Sequence, residues 1–394
     1  MKRVPAALTL INAEVGAGEH AALRVSDGHI LEVAARPKRG DRVLDLKGDR
    51  LLPGFMNAHD HLQLNSFPPL TYGMLYRNAG EWIRDFNLRQ RTQATVQHAA
   101  AAPLPRRLLA GGLKNLLSGV TTVAHHDPFA PLLGRHDFPT QVPAGLGWSH
   151  SLEIDGDTAV QAACRESTAG RPWIIHAAEG VDATAHAEFE RLERLGCLRE
   201  NTLLVHGVAL DESQRARLAA AGGGLIWCPS SNVRLFGRTA EVRGLIALRR
   251  VALGTDSRLT AAGDLLDELR TAAECEPWLS DQLEALVTRD AARLLRLPGR
   301  GVLEPGAAAD LVVLPAGARL ARLTRRALRL VIVRGEARYA DGDYARALGG
   351  PWSPVTVDGQ RKWLATPLTA LLLQAGVELA GVQLTGSAGE AVCA

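Results

Sequence analysis

The chain has 394 residues, of which 46% are apolar and 22% charged. That is too long for one compact core, and the near-average composition excludes a disordered chain, a collagen-like repeat and a charged tail protein. The 45 basic and 42 acidic residues are scattered, without the basic stripe of a nucleic-acid binder, and no apolar run reaches the ~18 residues of a membrane span.

In chain order, MKRVPAALTLINAEVG begins basic, but Asn12 and Glu14 interrupt its apolar stretch, so it reads as a strand rather than a signal peptide. AALRVSDGHILEVA follows, with Asp27-Gly28 marking a hairpin. ADLVVL (309–314) and RLVIVRGEARYADGDY (329–344) share that texture. Residues 1–50 and 299–350 are therefore expected to form a small β-sandwich domain built from both chain ends.

Residues 51–298 alternate apolar strands with amphipathic helices, the pattern of βα units around a parallel sheet. The interval is close to the ~250 residues of a TIM barrel. The expected fold is α/β, a distorted (β/α)8 TIM-like barrel inserted in the β-domain. Seven strands are legible: LLPGFMNAH, GVTTVAHH, GLGWSHSL, PWIIHAAE, TLLVHGVAL, GLIWCPSSN and VALGTDS. A short strand at FPTQVP would be the eighth. Residues 351–394 read as a helical extension carrying TPLTALLLQAGVEL, with a small-residue end expected to be loosely ordered. Five cysteines (Cys164, Cys197, Cys228, Cys275 and Cys393) without CxxC spacing suggest buried thiols in a reducing, cytoplasmic compartment.

Several of these strands end in a histidine or an acid: His59 and His61, His125 and His126, His150, His176, His206 and Asp256. Strand C-terminal ends converge on the active-site face of a βα barrel. Imidazoles with one carboxylate are the ligand set of a catalytic Zn²⁺ or Fe²⁺ site. In His59-Asp60-His61 the two imidazoles share a strand face while Asp60 points away. In HAAEG, Glu179 follows His176 by three residues, where it can move protons to a leaving group. His206 repeats the strand-then-histidine pattern, and Asp256 can ligate a metal and accept a proton. His125, His126 and His150 read as barrel packing, as support for the ligands or as substrate contacts.

PGFMNAHDH, GVTTVAHHD, HAAEG, LLVHG, CPSSN and GTDS together resemble the amidohydrolase superfamily, and within it the mononuclear-metal deaminase and chlorohydrolase branch. That branch includes cytosine, guanine and S-adenosylhomocysteine deaminases and triazine hydrolases. The resemblance implies His59, His61, His176 and Asp256 as metal ligands. It implies Glu179, His206 and Asp256 as the catalytic residues, with His206 bonding the attacking water or the developing oxyanion. Binuclear members bridge two metals with a carboxylated lysine at a strand end. None of the five lysines here ends an expected barrel strand, and Lys114 falls in the helix before GVTTV. One divalent metal is therefore expected, Zn²⁺ ahead of Fe²⁺.

The expected activity is hydrolytic deamination of an amino-substituted nitrogen heterocycle by metal-activated water. Hydrolysis of a cyclic amide C–N bond, or of a C–Cl bond on a triazine-like ring, is the alternative. A non-catalytic scaffold on the same fold is a more distant one. Candidate substrate contacts are Gln63, Trp82, Arg84, His125, His150 and Asn232, with Arg234 a candidate for an anionic group. The partner is a small heterocyclic molecule, with neither nucleic acid nor membrane involved. A homodimer is the commonest assembly a priori.

Overall fold

Short alternating stretches separated by glycine turns build one sheet from both ends of the chain. The computed structural model describes residues 7–15, 19–34, 36–70 and 73–384. Glu19–Ser26 pairs antiparallel with Leu8–Val15 and with His29–Val33. Between the latter two strands Asp27 and Gly28 hold φ of 50° and 77°, the doubly positive turn that Asp-Gly favours. The chain ends meet where Arg50–Pro53 pairs antiparallel with Leu311–Leu314.

Two features of this sheet differ from expectation. Among the described residues it is one hydrogen-bonded sheet of eleven strands, not two stacked sheets. It curls so that Leu10, Leu23, Ile30, Ile332, Trp352 and Trp363 share one core. The segment after Pro351 is also not a helical extension. Trp352–Val357 and Gln360–Ala365 form a further antiparallel hairpin on this sheet, and Val382–Leu384 adds an edge strand. Its turn is Asp358-Gly359, with φ of 47° and 81°, the same signal as Asp27-Gly28. The helix read from TPLTALLLQAGVEL is present but ends early, at Thr366–Gln374. The small-residue end and Cys393 lie outside the described residues.

All seven strands read between 51 and 298 are present. Gly147–Ser149, Trp173–Ala177, Thr202–His206, Gly224–Trp227 and Val251–Leu253 form a parallel sheet in chain order. Phe55–Asp60 and Val120–His125 form a second parallel pair. Five of these strands are buried at every position, as parallel strands covered on both faces must be. The first stretch divides at Gly54: Arg50–Pro53 stays with the large sheet and Phe55–Asp60 joins the pair. A Cβ on Gly54 would stand 2.4 Å from the Thr121 side chain, so only glycine permits the approach.

FPTQVP forms no strand. Gln141 makes a single parallel bridge to Thr122, and Pro139 and Pro143 on either side lack the N–H that a longer ladder needs. At the other end of the parallel strands, the N–H groups of Thr255 and Asp256 donate to the His59 carbonyl at 2.9 and 3.1 Å. Helices connect the strands. Ala183–Arg194 is capped by the Asp182 carboxylate, which accepts from the Ala185 N–H, and Glu212–Ala220 by a reciprocal Asp211–Gln214 capping box.

Candidate metal centre

The parallel register places side chains from four strand ends in one volume. Val205 lies opposite His176, so the ends of Trp173–Ala177 and Thr202–His206 are level. Gly254 lets the last strand approach the first: a Cβ there would stand 2.7 Å from the His59 Cβ. His206 and Asp256 hold φ of 71° and 53°. Left-handed backbone at non-glycine residues costs about 1–3 kcal/mol each and persists where the surroundings over-determine it.

His59, His61, His176, His206 and Asp256 are thereby brought together. Ring or carboxylate atoms of His59, His61 and Asp256 lie within 4.8 Å of one another, and so do those of His59, His176 and His206. The His176 Nε2 is 3.2 Å from the His59 Nε2 and 3.4 Å from the His61 Nε2. The Asp256 Oδ1 is 3.9 Å from the His61 Nε2, while its Oδ2 accepts from the Ser231 and Thr260 hydroxyls at 2.8 and 2.7 Å.

Outer hydrogen bonds decide which ring nitrogens face inward. His176 Nδ1–H donates to the His150 carbonyl at 2.8 Å, and His61 Nδ1–H donates to Asp127 at 2.7 Å. Each bond turns an Nε2 lone pair toward the centre, the arrangement that orients histidine ligands in metal sites. Burial, then the neighbouring imidazoles, hold His59 and His176 well below the usual histidine range. Both are therefore neutral, as ligands must be. Burial also works to lower His61, but Asp127, helped by Asp256 and Asp60, overrides it and raises His61 to about 9. The neutral His59 and His176 rings, joined by His61 once a cation displaces its proton, converge ring nitrogens at little more than 3 Å and fit a cation between them.

Glu179 follows Ala178, whose φ of 52° turns the chain at the strand end. Its Oε1 lies 3.6 Å from the His206 Nε2. Burial, then the charges of Asp256 and Glu188, push its pKa well above the usual carboxylate value. His206 Nδ1–H donates to the Asn232 Oδ1 at 2.7 Å, leaving its Nε2 toward the centre. A cavity of about 20 Å³, room for a water, is lined by His176, Glu179, Glu153 and Glu188 among others. Larger cavities of about 260 and 910 Å³ lie elsewhere, the first along Lys114 and Arg258 and the second against the large sheet.

The candidate substrate residues divide. Asn232 reaches the centre through His206, and His150 stands beside His61 and His176, ring centroids 5.7 and 5.8 Å away. Gln63 sits by Asp127. His125 is turned to the backbone, its Nδ1 accepting from the Leu62 N–H at 3.4 Å. Trp82 packs on Phe86 within two small apolar clusters. Arg84 is on the surface, 66% exposed and paired with Glu153. Arg234 is tied to the carbonyls of Ala261 and Leu70, both at 3.0 Å, and is not free for an anion.

Sequence reasoning missed two supporting residues. Asp127 was legible only as the third member of HHD. Lys114, on the helix Leu104–Leu116, is 1% exposed, and its Nζ sits 2.9 Å from Asp60. Asp60 also accepts from Asn57, Asn65 and Asn115 at 3.1, 2.7 and 2.7 Å. The residue between the two histidines does point away, into a buried polar network.

Residues 114–338 match the profile of the Amidohydrolase family, and the chain belongs to that family, as a hydrolase acting on carbon–nitrogen bonds. It is 25% identical over 397 residues to a 5-methylthioadenosine/S-adenosylhomocysteine deaminase of Nitratidesulfovibrio vulgaris (strain DP4), covering 83% of this chain and 89% of that one. The corresponding deaminase of Natronomonas pharaonis is 26% identical over 334 residues, 70% of this chain and 75% of its own. Among solved structures, a zinc-bound adenosine deaminase from Xanthomonas campestris superposes with TM-score 0.69 at 19% identity, over 84% of this chain and 93% of that one. Zinc-bound atrazine chlorohydrolase from Arthrobacter aurescens TC1 gives 0.69 at 18%, over 84% and 94%. These similarities in structure carry the fold. Among the described residues no helix is long and apolar enough to cross a membrane.

Proposed function

We propose that this protein is a mononuclear metal-dependent deaminase acting on an amino-substituted nitrogen heterocycle. The observation that carries the reading is the convergence of His59, His61, His176 and Asp256, with Glu179 3.6 Å from His206 at its edge. Relatives named as deaminases over most of the chain support it. We read the parallel strands as a distorted (β/α)8 barrel, with the Gln141 bridge where an eighth strand would run. Residues 51–298 would then be the catalytic unit, and the sheet from both chain ends a second one.

His59, His61, His176 and Asp256 would hold one divalent cation, Zn²⁺ in preference to Fe²⁺. Such a cation, when bound, lowers the pKa of a coordinated water from 15.7 to about 7. Asp256, its Oδ2 held by two hydroxyls, accepts the proton of the attacking water through Oδ1. Glu179 delivers its own proton to a ring nitrogen as the adjacent carbon becomes tetrahedral. His206 accepts a hydrogen bond from the water's remaining O–H at Nε2, takes that proton, donates it as a hydrogen bond to the developing carbonyl oxygen, and returns it to the deprotonated Glu179, whose Oε1 lies 3.6 Å away. The proton taken by Asp256 passes to the amino group, which leaves as ammonia. Asn232 holds His206 in register throughout.

Ammonia release from a panel of amino-substituted heterocycles tests the reading. Release with at least one member is the expected result. Ring opening or chloride release without ammonia would replace deamination by the related hydrolyses, and protein without bound metal would remove the mechanism.

A further inference from the structure

The cavity of about 260 Å³ draws its wall from separate parts of the chain. Arg258 and Asp264 follow the last parallel strand, Thr324 and Arg325 precede the strand Leu330–Val333, and Asp358 lies at the tail hairpin turn. A water needs only about 10–15 Å³, so the space admits a polyatomic ligand. None of the proposed metal ligands lines it.

The charges on this wall do not balance. Arg325 donates from Nε to Asp358 at 3.0 Å, and Arg270 donates to Asp267 at 2.8 Å. Asp267 also accepts from the Asp264 N–H at 3.0 Å, and Asp264 accepts from the Leu266 N–H at 2.9 Å. The second Asp264 oxygen lies 3.6 Å from the Arg325 Nε. Lys114 is turned to Asp60, at 2.9 Å. Every carboxylate on the wall is thus engaged. The Arg258 guanidinium is half-buried, yet it makes no hydrogen bond or ion pair to another described residue. The charge of Arg325 acts against it, and Asp264 is its one opposing carboxylate.

A partly desolvated guanidinium without a counter-ion, facing a second one, is a place for a multiply charged anion. Its planar fork of N–H donors matches the oxygens of a phosphate, and Thr324 adds an exposed hydroxyl on the rim. We propose that this cavity binds a phosphate group, free or carried on a small ester, with Arg258 as its principal contact. Phosphate binding here stands or falls apart from deamination at the metal centre.

Equilibrium dialysis of the purified chain against labelled inorganic phosphate tests this. Wild type should bind about one equivalent with a Kd below about 1 mM. Arg258→Gln removes a charge-assisted contact and should weaken binding by about 10-fold or more. Thr324→Glu adds a carboxylate at an exposed rim position and should weaken it as well. Arg322→Gln, exposed and off the wall, should bind like wild type. Circular dichroism shows which variants are folded, and if Arg258→Gln is not, Thr324→Glu decides alone. Glycerol phosphate that displaces the label better than unlabelled phosphate identifies an ester as the occupant, and weaker displacement identifies free phosphate. Absence of saturable uptake overturns the site, as does undiminished affinity in the deciding variant. A loss in Arg322→Gln as large as in Arg258→Gln overturns it too, since diffuse surface charge would then be responsible. Uptake that disappears after chelator treatment overturns it by placing the phosphate on the metal.

Discussion

The Nδ1 of His61 lies 2.7 Å from the Oδ2 of Asp127, two residues past the end of the neighbouring strand. This contact orients the ring and raises its basicity, which strengthens a ligand once its proton is displaced. Asp127→Ala should therefore weaken cation binding roughly 10–100-fold, in line with other losses of such partners. Competition with a chromogenic chelator measures it. Unchanged affinity would show that His61 does not depend on Asp127.

Glu179 is the proton carrier of the proposed reaction, and it is not a ligand. Glu179→Gln keeps the shape and the neutral charge of the protonated acid. Turnover should fall by at least ~10²-fold, the usual worth of a positioned acid–base group. Metal content measured by elemental analysis should stay near that of wild type. A fully active variant would reassign the proton transfer.

Lys114 and Asp60 form an ion pair whose side chains are 2% and 0% exposed. Removing one member of a buried pair strands the other charge, at a cost of about 3–5 kcal/mol. Lys114→Met should lower the denaturant midpoint accordingly, with the loss seen in the metal-free chain as well. A midpoint equal to wild type would place Asp60's compensation wholly with its three asparagines.

Glu268 is fully buried and bonded to Ser230. Burial raises its pKa to about 8, above the unfolded carboxylate value. Between those two values the unfolded chain has lost a proton that the folded chain retains, so this residue's contribution to stability falls as pH rises. Below the unfolded value both states are protonated and the contribution is constant. Glu268→Gln should then gain stability relative to wild type on going from about pH 5 to about pH 8. Chemical denaturation at both pH values reads the difference, and a pH-independent difference would contradict the assignment.

Local pattern accounts for much of what was legible. Alternating or continuous apolar runs marked all seven parallel strands, and the Asp27-Gly28 turn placed a hairpin correctly. The same signal at Asp358-Gly359 stood in the tail, but the apolar run after it drew the segment toward a helical reading. The Gln141 stretch was expected as a strand because of its place in the order of elements, while its flanking prolines opposed one.

The sequence by itself determined the order of elements and the residues with metal chemistry, because strand periodicity and strand-end histidines are local properties. Only the tertiary structure decided which side chain supports which. Consecutive residues at a strand end face apart, so His125 meets backbone while His126 joins the imidazoles. Asp127 and Lys114 gained their partners from contacts between elements 66 and 54 residues apart. No local rule reaches across that distance; the packing of parallel strands and the helix over them does.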